Sequence, residues 1–186
     1  MAKSNKFTRR RFVQLAAAGT GSIYLLPRCT SGQDSSTRRF FTEVEAILVD
    51  AIADQVIPPD EWPGGKDSGA TNFIDKQLVG PYKRYQETYR KGLAAIQESC
   101  STLYQKRFEE LSWDEQTAFL EQMEAGQMKG TAWAEGFDNE FFELIRDHIM
   151  QSYYGSPRHG GNKNNLSYRM IGVDYPLIIG QNRYKV

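Results

Sequence analysis

The fold is decided by residues 42–59, TEVEAILVDAIADQVIPP. Thr42 is placed to cap a helix at its start. Pro58-Pro59 ends the helix at Ile57, because proline donates no backbone hydrogen bond and disfavours helix in the residue before it. Between these two signals the spacing of apolar residues predicts one stripe on an α-helix and not the alternation of a strand. The stripe consists of Val44, Ile47, Leu48, Ala51, Ile52 and Val56.

The helical period continues beyond a loop at 58–70 that is rich in Pro, Gly and Asp. A short helix is predicted over 71–79 and a long one over 82–103, with Gly80-Pro81 between them. Ser112 and Glu115 have the spacing of a capping box, in which Ser is the N-cap and Glu is the third helical residue. A further helix is therefore predicted to begin directly after Ser112.

The last long helix is predicted to be capped by Asp138 or Asn139 and to stop at Gly155 and Pro157. No strand-type alternation competes with these patterns. The sequence predicts an all-α fold: one helical domain of four or five helices over 40–186, with irregular segments at 58–70 and 155–186. The segment at 155–186 contains too many apolar residues for a disordered segment, so we expect it to pack on its own helices or on another chain. Its apolar residues are Tyr168, Met170, Ile171, Tyr175, Leu177, Ile178 and Ile179.

Composition excludes several classes of protein. The chain has 186 residues, with 23 basic and 23 acidic side chains. The length allows one ordinary domain, and the balanced charge argues against a nucleic-acid binder with a broad basic face. No apolar run approaches the roughly 18 residues of a membrane-spanning helix, which excludes a polytopic membrane protein. Two Cys cannot supply a metal site of four thiolate ligands, and the two His add little.

The amino-terminal 28 residues carry six basic and no acidic side chains, so the remainder of the chain has a net charge of −6. A basic start, an apolar small-residue stretch at 12–26 and then Pro27-Arg28 form the layout of an export leader. The sequence thus divides into a signal segment at 1–28, a polar linker at 29–39 and the helical domain. The alternative interpretation of residues 1–28 is a short core helix with a basic cap. The six cations are Lys3, Lys6, Arg9, Arg10, Arg11 and Arg28.

The junction of the leader reads TRRRFVQ at 8–14 and resembles the twin-arginine export signal. Arg9, Arg10 and Phe12 carry the likeness, while Gln14 stands where that signal commonly has lysine. Two fates of Cys29 are open besides a free thiol. It lies where a lipoprotein carries its acylated cysteine, although Pro27-Arg28 departs from that signal, and outside the cytoplasm it is able to pair with Cys100.

Few residues suggest chemistry. The sequence has no dinucleotide-binding glycine motif after a strand, no Walker loop, no Cys-x-x-Cys-His and no His-Glu-x-x-His. Asp50 and Asp54, one helical turn apart, are candidate cation ligands with His148 and His159. The alternative for Asp50 and Asp54 is a solvated acidic face. The alternative for His148 is a hydrogen-bonded or half-exposed helix histidine, and for His159 a position in a structural or contact loop. A tyrosine stripe at 82, 85 and 89 is interpreted as core, with an aromatic docking face as the alternative.

Three stretches together resemble the gluconate 2-dehydrogenase subunit 3 family, the small subunits of membrane-bound flavoprotein sugar and sugar-acid dehydrogenases. They are LVDAIADQVIPPD at 48–60, GATNFIDKQL at 69–78, and YYGSP at 153–157 with HGGN at 159–162 and Ile171-Gly172. The likeness runs in the family's order over most of 40–175. His159 and Tyr168 depart from the aromatic residue and the tryptophan that the family often has there.

The resemblance implies a non-catalytic small subunit. Its large partner binds FAD, is of the glucose-methanol-choline oxidoreductase type and lacks a leader of its own; a cytochrome c subunit with haem c commonly takes the electrons. The small subunit escorts its partner through the twin-arginine translocase to the periplasm, where the complex associates with the inner membrane. No catalytic residue and no cofactor is implied for this chain. The candidate partner contacts are Pro58, Pro59, Tyr154, His159, Gly160, Gly161 and Asn162.

Two other functions compete with this interpretation. One is a metal-dependent enzyme or metal-binding helical protein built around Asp50, Asp54, His148 and His159. The other is a stand-alone periplasmic protein anchored by a lipid on Cys29, with a concave pocket for its ligand. The sequence does not reveal the substrate of a dehydrogenase complex, since the partner would determine it.

Overall fold

A computed structural model describes residues 38–172 of the chain. The export residues Arg9, Arg10 and Phe12, the candidate lipidation site Cys29 and residues 173–186 lie outside the described part. Within it are six α-helices and no strand, which confirms the all-α prediction. They are α1 (Glu43–Val56), α2 (Ala70–Leu78), α3 (Gln86–Tyr104), α4 (Trp113–Glu124), α5 (Phe137–Tyr154) and α6 (Leu166–Met170).

Helix α1 begins as its local sequence predicts. The Thr42 hydroxyl accepts a hydrogen bond from Glu45 N, and the Glu45 carboxylate accepts one from Thr42 N, which completes a capping box. The buried face of α1 differs from the predicted stripe, however. Val44 is 50% exposed and Ile47 40% exposed. Leu48 and Ile52 of the predicted stripe are buried, together with Ala46, Val49 and Ala53.

Helix α5 is the centre of the fold, since it packs against α1, α2, α3, α4 and α6. Its fully buried Phe141 stacks on Phe137 and meets the edge of Tyr89 from α3. Gly92 of α3 lies against the same ring, because a Cβ there would come within 2.5 Å of Phe141 Cγ. The close approach of α3 and α5 therefore depends on a residue without a side chain.

The start of α5 corrects a prediction. Neither Asp138 nor Asn139 caps the helix, because the N-cap is Gly136 with φ 77°, a conformation that glycine adopts without strain. Asp138 is buried and its carboxylate accepts a hydrogen bond from Met128 N at 2.9 Å. Asn139 donates to Glu124 O. Both side chains therefore connect α5 to the end of α4 and to the loop that follows α4.

The irregular segments are only partly irregular. The loop at 58–69 has turns but no helix, as predicted. In the second segment the described residues form 3₁₀ turns at Pro157–His159 and Lys163–Asn165 and then α6, which packs on α5. Sequence periodicity does not detect elements of three to five residues. Between Arg38 and Gly172, no helix is long and apolar enough to cross a membrane.

Candidate functional site

The loop at 155–165 contains most of the candidate partner contacts, and hydrogen bonds hold it against α2. Asn72 Nδ2 donates to Gly160 O at 2.8 Å, and Lys76 Nζ donates to Arg158 O at 3.3 Å. Gly160 has φ 105°, and a Cβ on it would lie 2.9 Å from Asn72 Nδ2. The left-handed backbone conformation of Gly160 therefore favours glycine at this position, where the loop lies against α2.

Gly161 and Asn162 are buried inside this loop. A Cβ at Gly161 would overlap the Ser152 side chain of α5. Asn162 donates from Nδ2 to Gly155 O at 2.7 Å, and its Oδ1 accepts from Ser167 N at 2.9 Å. These two residues hold the loop between the end of α5 and the start of α6. Their contacts are internal to the chain.

The other candidate contacts lie at the surface. Pro58, Pro59, Tyr154 and His159 are exposed. Tyr154 packs at the edge of the Tyr153 ring, with ring centroids 5.0 Å apart. These four side chains are accessible to a partner, and their role in binding stays a prediction.

His148 is enclosed by the tyrosine stripe and is only 4% exposed. Its ring lies parallel to Tyr82, with centroids 4.3 Å apart, and Tyr85 meets it edge-on. Its Nδ1 shares a hydrogen bond of 2.8 Å with the hydroxyl of Tyr89. Burial lowers the pKa of His148 to about 4, while Asp147 acts to raise it and Arg84 to lower it. Tyr89 is therefore a core residue, as predicted, whereas Tyr82 and Tyr85 are half-buried and pack against the core.

The candidate cation ligands are not brought together. His148 lies within the tyrosine cluster and His159 at the surface loop, whereas Asp50 and Asp54 lie on α1. Among residues 38–172 no three His, Cys, Asp or Glu side chains are placed to hold a metal ion. The arrangement required for the metal-dependent alternative is therefore not assembled in the described part of the chain.

Asp50 and Asp54 instead line a groove of about 350 Å³ beside α4. The Asp50 carboxylate accepts a hydrogen bond from Thr71 Oγ1, and Asp54 Oδ1 accepts one from Lys66 N at 3.0 Å. Burial raises the pKa of both carboxyl groups, while the neighbouring Lys66 acts to lower them. We call this feature the α1–α4 groove; its other lining residues include Ile47, Glu109 and Trp113.

A comparison with protein families decides the identity of the chain. The family model described as gluconate 2-dehydrogenase subunit 3 matches residues 43–174. The chain belongs to the gluconate 2-dehydrogenase subunit 3 family. This confirms the resemblance carried by the three stretches. Searches of curated proteins and of solved structures gave no match.

Membership in the gluconate 2-dehydrogenase subunit 3 family identifies the chain as an accessory subunit of a dehydrogenase complex. In this family member the matched region begins at the first residue of α1 and includes all six described helices. The match also covers the 155–165 loop, the tyrosine cluster and the α1–α4 groove.

Sequence reasoning missed three residues that the structure makes prominent. Asp75 of α2 is buried and its carboxylate accepts the backbone N–H groups of residues 39–41 at 2.8–2.9 Å. Glu109 and Trp113 both line the α1–α4 groove. The sequence does contain a signal for Trp113: it is the first residue of a capped helix. The start of a helix is polar, so a tryptophan there indicates an exposed apolar side chain. Asp75 and Glu109 gave no such signal, because their hydrogen-bond partners lie far away in the sequence: residues 39–41 for Asp75 and Gln97 for Glu109.

Proposed function

We propose that this chain is the non-catalytic small subunit of an FAD-dependent dehydrogenase of the glucose-methanol-choline type, acting on a sugar, sugar acid or glycoside. It binds the flavoprotein subunit, stabilises it and carries it out of the cytoplasm. The observation that carries the proposal is the family match over 43–174. FAD then resides in the large subunit and haem c in a cytochrome subunit, where one is present.

Exposed apolar side chains support a role in binding another subunit. Obligate interfaces bury on the order of 2,000 Å² or more and are rich in apolar and aromatic groups. Among residues 38–172 the large apolar residues at the surface are distributed over α1, α3, α4, α5 and the flanking turns. They are Val44, Ile47, Val79, Leu103, Trp113, Met150, Tyr154 and Ile171.

The leader supports the export role. Arg9, Arg10 and Phe12 match the twin-arginine signal, whose route transports proteins that are already folded. A flavoprotein without its own leader reaches the periplasm if it crosses while bound to this chain. The assembled complex then associates with the inner membrane through its partners or through a retained leader.

Co-purification tests the subunit role. The full chain, tagged at its C-terminus, is expressed with its native neighbours, and the visible spectrum and masses of the purified material are recorded. We expect a yellow complex that contains a flavoprotein. A colourless chain purified alone would contradict the proposal.

A second experiment tests the export role separately. Arg9→Lys with Arg10→Lys removes the twin arginines while the positive charge stays. We expect the flavoprotein and its dehydrogenase activity to remain in the cytoplasm of cells that carry the double variant, while the complex still co-purifies. Full periplasmic activity in that strain would contradict the escort role and leave the subunit role in place.

A further inference from the structure

Two stretches of the described chain contain cations but no acid. They are residues 76–86 and 148–172, which make up about a quarter of the described residues. Of the 15 basic and 21 acidic side chains in 38–172, six basic ones and no acidic one lie in these stretches. None of the six forms an ion pair with a described residue. They are Lys76, Lys83, Arg84, Arg158, Lys163 and Arg169.

The structure brings the two stretches together. Lys76 Nζ donates to Arg158 O at 3.3 Å, and the Tyr82 hydroxyl donates to Gln151 Oε1. A groove of about 370 Å³ lies where the stretches meet, and its lining residues include Pro81, Tyr82, Gln151, Ser156 and His159. We call this groove, together with the six cations, the basic surface.

Acids adjoin the basic surface but do not pair with its cations. Asp75 precedes Lys76, but it is buried and its carboxylate accepts three backbone N–H groups. Loop 58–69 bonds to the second stretch through Ser68 O, which accepts from Lys163 N at 2.9 Å. None of the acids in that loop or next to the two stretches forms an ion pair with the six cations. Those acids are Asp60, Glu61, Asp67, Glu87 and Asp147.

Exposed apolar side chains stand among these cations. Of the eight large apolar residues that are exposed in 38–172, four lie in the two stretches. Exposed apolar and aromatic side chains combined with Lys and Arg are typical of surfaces that lie at the boundary between lipid headgroups and acyl chains. The four residues are Val79, Met150, Tyr154 and Ile171.

The remaining parts of the chain do not suit this surface as occupants. Residues 1–37 carry six basic side chains and one acidic, and residues 173–186 carry two basic and one acidic. Either end of the chain, like the basic surface of a second copy, would place positive charge against positive charge. The composition therefore favours an anionic surface supplied from outside the chain.

The place where the leader joins the domain lies beside the basic surface. The N–H groups of residues 39–41 donate to Asp75 of α2, and Lys76 follows directly on the same helix. A linker of nine residues, 29–37, precedes this point, and nine residues span at most about 30 Å. If the apolar stretch at 12–26 enters a membrane, it therefore holds the basic surface near lipid headgroups. This favours a membrane over an acidic protein as the anionic partner.

We propose that the basic surface docks on the headgroups of an anionic phospholipid bilayer. Its ammonium and guanidinium groups pair with lipid phosphates, while Val79, Tyr154 and Ile171 lie in the headgroup layer. The inference goes beyond the proposed function, because it gives the domain a membrane contact of its own. It assigns Tyr154 and His159, candidate partner contacts in the sequence, to lipid. The exposed apolar residues that stay available to the flavoprotein are Val44, Ile47, Leu103 and Trp113.

The first test measures the affinity of the full chain for vesicles of phosphatidylcholine with phosphatidylglycerol. Lys83→Gln with Arg158→Gln removes one exposed cation from each stretch. Lys106→Gln with Lys129→Gln removes two exposed cations elsewhere and is the matched control. Each Lys or Arg near an anionic surface strengthens binding roughly fivefold, so we expect the first pair to weaken binding about 25-fold. Charges far from the lipid are screened, so we expect the control pair to bind like the wild type.

The leader is unchanged in all these proteins, so its own affinity for lipid cancels in the comparison. Lys163→Gln with Arg169→Gln, two further exposed cations of the basic surface, should weaken binding as the first pair does. Thermal midpoints equal to that of the wild type show that the variants are folded. Equal affinities of the surface pairs and the control pair would overturn the inference. So would wild-type binding that is as tight to vesicles of phosphatidylcholine alone.

Photo-cross-linking in cells identifies the occupant directly. Benzoylphenylalanine replaces Tyr154 on the basic surface or, as the control, the exposed Leu103 outside it. We expect lipid adducts at position 154 and none at position 103. Position 154 linked to the flavoprotein or to a second copy, or without a lipid adduct, would overturn the inference and leave the proposed function in place. A chain that binds vesicles as expected but purifies without a flavoprotein would contradict the proposed function alone.

Discussion

We expect the buried histidine to make the stability of the chain depend on pH. His148 is almost fully enclosed, and burial lowers its pKa from 6.5 to about 4. The unfolded chain therefore binds the proton more tightly than the folded chain. The contribution of neutral His148 to stability is complete above about pH 6.5, is lost as the pH falls toward 4, and changes no further below that.

The size of this effect follows from the two pKa values. One unit corresponds to about 1.4 kcal/mol, so the full shift from 6.5 to about 4 lowers the free energy of unfolding by about 3 kcal/mol. At about pH 5 the loss is already about 2 kcal/mol. This is a large share of the roughly 5–15 kcal/mol that stabilises an ordinary domain.

Urea unfolding at several pH values between about 7.5 and 4.5 measures the effect. The wild type is compared with His148→Gln, which does not titrate, because the carboxylates contribute equally to both and cancel in the difference. His159→Gln is the matched control, since that histidine is exposed. We expect the control to keep the pH dependence of the wild type.

One result would refute this reasoning. If wild type and His148→Gln lose stability in parallel as the pH falls, then His148 does not resist protonation in the folded chain. Its hydrogen bond with Tyr89 and its burial would then be insufficient to exclude the charged form.

Two further substitutions test how the helices are held together. Gly92→Ala gains about 1 kcal/mol of helix propensity but forces a methyl group into the Phe141 ring, so a net loss of about 1–3 kcal/mol is expected by urea unfolding. Gly80→Ala is its control, since a Cβ added at Gly80 would come no nearer than 3.7 Å to Gln77 O or Lys76 O. Equal stability of the two variants would contradict the packing argument. Asp75→Asn replaces one acceptor of the backbone N–H groups at 39–41, and we expect a loss of about 2 kcal/mol. Wild-type protection of those amides in hydrogen exchange would argue against that role.

The local signals in the sequence predicted the helices well. Thr42 caps α1 as predicted, and Ser112 with Glu115 forms the capping box that their spacing indicates. The apolar residues Phe73, Ile74 and Leu78 of the helix predicted over 71–79 are buried. These features depend on residues within one or two turns of each other, where spacing along the chain determines spacing in three dimensions.

Predictions that needed distant partners were less successful. The apolar stripe of α1 was predicted from period alone, and period does not show which side another helix will cover. Val44 and Ile47 therefore appeared to be core residues but are exposed. The start of α5 was misassigned because Asp138 and Asn139 have the side chains of a cap, yet their partners are in and after α4, 10 and 15 residues away.

By itself, the sequence determined the all-α fold class, most helix boundaries, the basic composition of residues 1–28 and the resemblance to the gluconate 2-dehydrogenase subunit 3 family. Only the tertiary structure decided which surface is exposed and how the charged side chains are paired. It placed His148 among tyrosines and buried Asn162 inside the 155–165 loop. The physical reason is that burial and pairing depend on elements far apart in the chain, whereas helix formation and capping depend on near neighbours.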